Sequence, residues 1–225
     1  MKQVKNAALF FVVTLVFLQR FAFADESAAQ ILNSIRLAEI SQELDGRLRK
    51  EDGTIIPFHL KAGGDELVFT FSNPTEVLRL RFEDNGSTLT RQTGDHERVI
   101  TGAKLNDSVR GTDITYLDLS LRFLHWKDSR IEGEQNLRTF PSWMILLQQP
   151  DRNTPYASVR VWVAKQSGAL LRAEAFDAQS RLLKKFEVIS GQRIEGKWFL
   201  KQMRIERYDP DTGKLISRTY LEINA

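Results

Sequence analysis

The 225-residue sequence contains no cysteine and only three histidines. Without cysteine the chain forms no disulfide bonds, and it has no thiolate to act as a nucleophile or metal ligand. His59, His96 and His125 lie on separate segments, so their spacing does not indicate a zinc site. The sequence also lacks a Gly-x-Ser-x-Gly elbow, a His-Glu-x-x-His pair and a glycine-rich phosphate loop. We therefore expect a protein that is not an enzyme and that needs no metal or cofactor.

A long apolar run is present near the N-terminus, over residues 7–18, between two lysines and the small residues Ala22 and Ala24. This order predicts a secretory signal peptide over residues 1–24 and a mature domain over residues 25–225. The run is too short to cross a bilayer comfortably. Arg20 is unfavourable near a cleavage site, so an uncleaved N-terminal anchor remains the alternative. Either way, we expect the protein to be exported.

The predicted mature chain has almost no net charge. The sequence has 32 basic and 29 acidic residues, and the predicted signal peptide contains three of the basic ones, Lys2, Lys5 and Arg20. The mature chain is therefore neutral, whereas proteins that bind nucleic acid carry a surplus of lysine and arginine. We expect no nucleic-acid partner and no strong attraction to anionic lipid.

Two stretches, residues 67–71 and 77–82, alternate between apolar and other residues, as strands with one apolar face do. Turn-forming residues recur about every ten positions, which is the length of one strand and one tight turn. Further strands are predicted over residues 130–139, 143–148, 157–164, 170–177, 182–189, 197–208 and 215–223. The pattern predicts a mainly β protein with about a dozen strands in one large curved antiparallel sheet. Such a sheet needs helices to cover its apolar face.

The segment over residues 111–126 fits two opposite patterns. Leu117, Leu119, Leu121 and Phe123 alternate with polar residues as in a half-buried strand, whereas Leu117, Leu121 and Leu124 share one face of a helix. We favour a helix over residues 116–124 whose leucine stripe lies against the sheet. The strand remains the alternative.

Two capping boxes support helical segments. Thr115 and Asp118 have the spacing of one box, and Ser27 and Gln30 have the spacing of another, which predicts an N-terminal helix over residues 27–40. Asp113 and Asp118 flank the start of the second helix. We interpret both as capping residues and not as the acid pair of a glycosidase.

The apolar residues of the alternating strands have two possible roles. They either form a closed core, as such residues usually do, or line a cavity beneath the helical lid. The candidate ligand-binding residues of the sheet and the lid are Leu67, Phe69, Phe71, Leu78, Leu80, Phe82, Leu117, Leu121 and Leu124.

A series of motifs in the second half of the chain resembles the LolA-like periplasmic proteins that sort outer-membrane lipoproteins. The motifs are Arg110-Gly-Thr-Asp113 with Tyr116, Asp118 and Leu119, Val161-Trp-Val163, Leu171-Arg172-Ala-Glu174, Leu183-Lys184, Trp198 and Lys201-Gln-Met203. The likeness extends over nearly the whole mature chain, including the N-terminal helix.

The resemblance implies an incomplete β-barrel, in which helices cover the concave apolar face of one curved sheet. It implies a periplasmic carrier whose ligand is an acylated lipoprotein or another lipid, with a release complex in the inner membrane and an acceptor in the outer membrane as partners. It further implies an arginine of the sheet that hydrogen-bonds the lid and holds it shut when the carrier is empty, for which Arg79, Arg81 and Arg110 are the candidates. The alternative is a non-catalytic envelope module that binds a protein or peptide through a sheet edge.

Overall fold

The computed structural model describes residues 27–35, 41–83, 86–149, 154–194 and 196–224. The predicted signal peptide, residues 1–24, lies outside the described residues. The described part contains two α-helices, α1 and α2, two short 3₁₀ helices and thirteen strands. None of these helices is long and apolar enough to cross a membrane.

The described strands belong to a single antiparallel sheet, as the sequence predicted. In chain order they are β1 Gln42–Lys50, β2 Ile55–Gly63, β3 Glu66–Phe71, β4 Glu76–Glu83, β5 Gly86–Thr93, β6 His96–Val99, β7 Asp128–Leu137, β8 Phe140–Gln148, β9 Ser158–Ala164, β10 Leu170–Phe176, β11 Leu182–Ile194, β12 Lys197–Tyr208 and β13 Leu215–Asn224. Across the sheet their order is β6-β5-β4-β3-β2-β1-β13-β12-β11-β10-β9-β8-β7. The sheet has two ends, β6 and β7, so it is open and the barrel is incomplete.

Strand register places the apolar residues of neighbouring strands on one face. Leu67 lies opposite Leu80, and Phe69 lies opposite Leu78. Because successive side chains of a strand point to opposite faces, Arg79 and Arg81 lie on the other face. We call the face that carries the leucines the inner face.

The sheet is curved on the β7 side. Arg138, in the turn between β7 and β8, donates a hydrogen bond from Nη1 to the backbone carbonyl of Ile189 in β11 at 2.7 Å. Strands β8 and β11 are three positions apart, which is about 14 Å in a flat sheet. The contact therefore requires curvature.

The connection between β6 and β7, residues 100–127, is the lid. It starts at one end of the sheet and must reach the other, so it crosses the inner face. The lid contains the 3₁₀ helix Gly102–Asn106, helix α2 Tyr116–Ser120 and the 3₁₀ helix Arg122–His125. Its segment over residues 116–125 is helical, and the alternative strand is wrong.

Helix α2 is shorter than the sequence predicted, and the last part of the predicted N-terminal helix lies outside the described residues. Helix α1 covers Ala28–Ser34 and begins with the expected capping box of Ser27 and Gln30, and residues 36–40 lie outside the described part. Helix α2 begins with the expected box of Thr115 and Asp118 but ends at Leu121, whose φ of 51° is left-handed. Left-handed conformation breaks an α-helix, so the predicted helix over residues 116–124 becomes two shorter pieces.

Candidate functional site: the lid and the apolar cluster beneath it

One apolar cluster occupies the space between the inner face and the lid. Phe69, Phe71, Leu78, Leu80 and Leu117 are buried in it, and Leu67, Phe82, Leu121 and Leu124 are partly buried and pack against it. The predicted leucine stripe is thus uneven. Of the apolar residues from Leu117 to Leu124, Leu117 and Phe123 are buried and the other leucines only partly so, because the left-handed turn at Leu121 rotates the following residues.

The cluster is closed in this structure. Leu78, Leu80 and Leu89, on adjacent strands β4 and β5, are each 0% exposed. No void large enough for water therefore touches their side chains. A ligand can enter this region only if the lid moves.

A buried carboxylate on the lid binds the sheet near β9 and β11. Asp118 accepts hydrogen bonds from Lys184 Nζ at 2.5 Å and from the Tyr156 hydroxyl at 2.6 Å. It also accepts from the backbone N–H of Thr115 at 2.7 Å. Burial, followed by the negative charge of Asp118, raises the pKa of Tyr156 well above its usual value. The phenol therefore stays protonated and donates.

A second buried carboxylate, Glu76 of β4, binds the lid from the sheet. Its Oε1 accepts from Arg91 Nε at 2.5 Å and from the Tyr116 hydroxyl of α2 at 3.2 Å. Its Oε2 lies 3.5 Å from Arg110 Nε. Burial, followed by the charge of Glu76, raises the pKa of Tyr116. Nearby, the Ser87 hydroxyl of β5 donates to the backbone carbonyl of Ser120.

Of the three arginines considered as lid latches, Arg110 is the one that joins lid and sheet. Its Nη2 donates to the carbonyls of Asn73 and Pro74 at 2.8 and 2.9 Å. Its guanidinium also lies 5.0 Å from the centre of the Phe71 ring. Arg79 and Arg81 instead pair with Glu66 on the outer face. Arg110 therefore connects the lid to the turn between β3 and β4.

Asp113 is not a helix cap, contrary to the sequence interpretation. Its carboxylate accepts from the hydroxyls of Ser217 and Thr219 on β13, at 2.5 and 2.9 Å, and from Arg207 Nε on β12 at 3.2 Å. Its N–H donates to Thr219 Oγ1 at 3.1 Å. Asp113 thus attaches the first part of the lid to the middle of the sheet, whereas Asp118 does cap α2.

Sequence reasoning missed Glu76, Tyr156 and Lys184 as lid contacts. A signal was present for the two charged residues: Glu76 shares a strand face with Leu78 and Leu80, and Lys184 shares one with Phe186. A charged residue on an apolar face requires a buried partner. Tyr156 carried no comparable signal. No group of three acidic, histidine or cysteine side chains in the described residues has the geometry of a metal site.

Solved structures similar to this chain share its fold at low sequence identity. A putative outer-membrane lipoprotein-sorting protein domain from Vibrio parahaemolyticus matches with a TM-score of 0.69 and 15% identity, over 88% of this chain and 89% of that chain. A DUF1329 family protein from Desulfovibrio piger matches with a TM-score of 0.67 and 20% identity, over 88% and 90%. A LolA superfamily protein from Nitrosomonas europaea matches with a TM-score of 0.64 and 16% identity, over 88% and 92%.

Comparison of the sequence with family models also identifies a family. No curated protein matches the chain. A family model with the description "Uncharacterized protein" matches residues 93–224, more than half of the chain and all of the lid. The chain belongs to the family that this model describes, and it has the LolA-like fold of the lipoprotein-sorting structures.

Proposed function

We propose that this protein is a periplasmic carrier that binds acyl chains of lipoproteins, or of another lipid, between the inner face of its sheet and its lid. The observation that carries the proposal is the apolar cluster, which is continuous from β3 and β4 to the lid while the lid itself is joined to the sheet by polar contacts. The LolA-like fold supports it. The proposed activity is binding and transfer, without a catalytic step.

Apolar contact alone supplies the affinity that a carrier needs. Burying an acyl chain contributes about 0.8 kcal/mol per methylene, so no charged or catalytic group has to hold the chain. In this proposal the chain contacts Leu67, Phe69, Phe71, Leu78, Leu80 and Phe82 of the sheet and Leu117, Leu121 and Leu124 of the lid. It replaces contacts that the lid and sheet now make with each other.

The polar lid contacts suit a lid that must open. A buried ion pair such as Lys184 with Asp118 contributes little net stability, because the cost of removing both charges from water offsets their attraction. Its directional hydrogen bonds nevertheless define one closed position. The pair therefore positions the closed lid while adding little to the free energy that opening costs.

The carrier proposal extends to the partners and location that the sequence resemblance implied. The cargo comes from a release complex in the inner membrane and passes to an acceptor in the outer membrane. The signal peptide over residues 1–24 and the carrier domain over residues 25–225 are part of this proposal. N-terminal sequencing of the protein from the envelope fraction should give Asp25 as the first residue, whereas recovery of Met1 on membrane-bound protein would support the anchored form.

The proposal is tested by displacement of a fluorescent fatty acid, together with Leu121→Asp. Leu121 is partly buried at the lid break, so an aspartate there should weaken acyl binding about tenfold while the melting temperature changes little. Val99→Asp, the same change at an exposed position of β6, is the matched control and should alter neither quantity. A large loss of melting temperature from Leu121→Asp, in a protein that binds no lipid, would refute the carrier.

The alternative, a module that binds a partner through a sheet edge, finds less support in the described edges. Strand β6 has four residues, all exposed, and three of them are polar. Strand β7 is interrupted by a bulge between Ile131 and Gly133. Short, charged and bulged edges hinder the addition of a further strand. Failure of wild-type protein to bind any acyl ligand would nevertheless favour this alternative.

A further inference from the structure

A polar cleft of about 680 Å³ opens at the margin of the lid, separate from the apolar cluster. It lies where the first half of the lid meets the turn after β1 and strands β11, β12 and β13. Its basic residues are Lys50, Lys184, Arg207 and Arg218, its acidic residues are Glu51, Asp52 and Asp113, and Ile216 supplies an apolar side chain.

Two of these cations are the ones that hold the lid. Arg207 pairs with Asp113 through Nε, and Lys184 pairs with Asp118. Their depths differ, since the Arg207 side chain is 49% exposed and the Lys184 side chain is 8% exposed. An anion that enters the cleft therefore meets Arg207 first, and Lys184 lies at the inner end.

The inner wall of the cleft adjoins the apolar cluster. Thr115 lines the cleft, and the next two residues, Tyr116 and Leu117, are buried in the cluster. Lys184 likewise lines the cleft, and Phe186, on the same face of β11, packs against the cluster. A molecule with an acyl chain under the lid can therefore place its head in the cleft.

We propose that this cleft binds the anionic head group, a phosphate or carboxylate, of the acylated cargo at the terminal nitrogens of Arg207, beside the contact that Arg207 makes with Asp113. The inference rests on the proposed carrier function and assigns the polar part of its ligand. Arg207 contacts Asp113 and Ser217 through Nε, and among the described residues its two terminal nitrogens make no hydrogen bond that would have to break. A planar guanidinium suits a phosphate or carboxylate acceptor.

A head group on Arg207 is linked to lid opening because it brings a second negative charge beside Asp113, which weakens the pair between Asp113 and Arg207. Asp113 attaches the lid to β12 and β13, so weakening its pair with Arg207 removes one of the contacts that hold the lid over the cluster. Binding of the charged head group therefore also favours entry of the attached acyl chain under the lid. Neutral apolar molecules lack this effect.

The test compares two lipids with the same acyl chain, lysophosphatidic acid and monoacylglycerol, which differ by one phosphate. Wild-type protein should bind lysophosphatidic acid about tenfold more tightly, as expected for one charge-assisted hydrogen bond. Arg207→Gln should abolish this preference, so that lysophosphatidic acid and monoacylglycerol bind with equal affinity. Arg79→Gln, an arginine on the outer face, should keep the preference. Thr219→Val, which weakens the Asp113 contact without removing a cation, should keep it as well.

The outcomes separate this inference from the carrier proposal. Equal affinities of wild-type protein for the two lipids would overturn the head-group site and leave the carrier intact. Absence of binding by both lipids would overturn the carrier and this inference with it. Inorganic phosphate is the third ligand in the test. Millimolar phosphate that displaces lysophosphatidic acid but not monoacylglycerol would support the site. Phosphate that binds as tightly as the lipid would instead assign the cleft to a free anion.

Discussion

Gly46 leaves room for an aromatic ring on the inner face. It pairs with Phe58 across β1 and β2, and a Cβ atom at Gly46 would lie 2.4 Å from Phe58 Cζ and 2.8 Å from the Glu222 carbonyl oxygen. The ring has little freedom to move, because it also makes edge contacts with Phe69 and Phe71. A single methyl group therefore disturbs the aromatic part of the cluster.

Replacing Gly46 with alanine should lower the free energy of unfolding by about 1–3 kcal/mol, the usual cost of overpacking a core. Urea denaturation measures this change. Gly86→Ala is the control, since a Cβ at Gly86 meets nothing within 4 Å, and it should leave stability unchanged or slightly raised. Equal effects of the two substitutions would show that the ring does not lie over Gly46.

Among the ion pairs of the lid, the loss of the pair between Asp118 and Lys184 should reduce the free energy of unfolding most strongly. Asp118→Asn keeps the size of the side chain but leaves the buried Lys184 ammonium without its counter-charge. We expect a loss of about 3–5 kcal/mol in the free energy of unfolding. The double variant Asp118→Asn with Lys184→Met removes the unpaired charge and should recover a substantial part of the loss. If the double variant is less stable than the single one, the two side chains are not paired.

At the scale of elements, the lid depends on the start of α2. Thr115 Oγ1 accepts from the Asp118 N–H at 3.2 Å and donates to its carboxylate at 2.8 Å, so a five-residue helix has a complete capping box. A helix this short is unstable alone and needs such contacts. The cap therefore determines how firmly the lid stays closed.

Thr115→Ala should destabilise the lid by about 1 kcal/mol, the typical value of a helix cap, and raise its local opening about fivefold. Amide hydrogen exchange of Leu119, whose N–H donates to the Thr115 carbonyl, reports this opening. Ser27→Ala removes the equivalent cap of α1 and should leave exchange at Leu119 unchanged. Unchanged exchange in Thr115→Ala would mean that the cap does not control the lid.

At the scale of the whole molecule, the outer face of the sheet is covered by ion pairs. Glu187 binds Arg172 and Arg204, and Glu206 binds Arg204 and Arg218, so the contacts run across four strands from β10 to β13. Burial by itself raises the pKa of Glu187, but hydrogen bonding from Arg172 and the neighbouring positive charges outweigh it, and the net pKa is lowered from 4.5. The pKa of Glu206 is lowered in the same way.

This pattern predicts how stability depends on pH. A carboxyl group whose pKa is lowered in the folded state stabilises the fold at pH values above its unfolded-state pKa of 4.5. This stability is lost as the pH falls through the folded-state pKa. The urea midpoint should therefore be nearly constant from about pH 7 to 5 and fall below about pH 4.5. Glu187→Gln should make the fall of the urea midpoint below about pH 4.5 less steep, whereas Glu97→Gln, on the exposed strand β6, should not. An identical acid slope in wild type and Glu187→Gln would contradict the prediction.

Local patterns in the sequence were enough for the shared face of β3 and β4, for the seven later strands from β7 to β13 and for the two helix starts. Alternation predicts which residues of β3 and β4 share a face because side chains of a strand alternate by geometry. The capping boxes at Ser27 and Thr115 depend on residues three positions apart, so they too are readable from the sequence. The end of α2 was not, because Leu121 adopts a left-handed conformation without the glycine that usually signals one.

What the tertiary structure decided is which distant groups meet at the lid. The sequence determined that Glu76 and Lys184 occupy inner positions of their strands, but their partners Tyr116 and Asp118 lie 40 and 66 residues away. Likewise, the strand faces and the path of the lid decide that Arg110 contacts both lid and sheet, whereas Arg79 and Arg81 pair with Glu66 on the outer face. Strand order and sheet curvature determine these contacts, because the lid must cross from β6 to β7. Both are properties of the whole sheet, and no short stretch of the sequence specifies them.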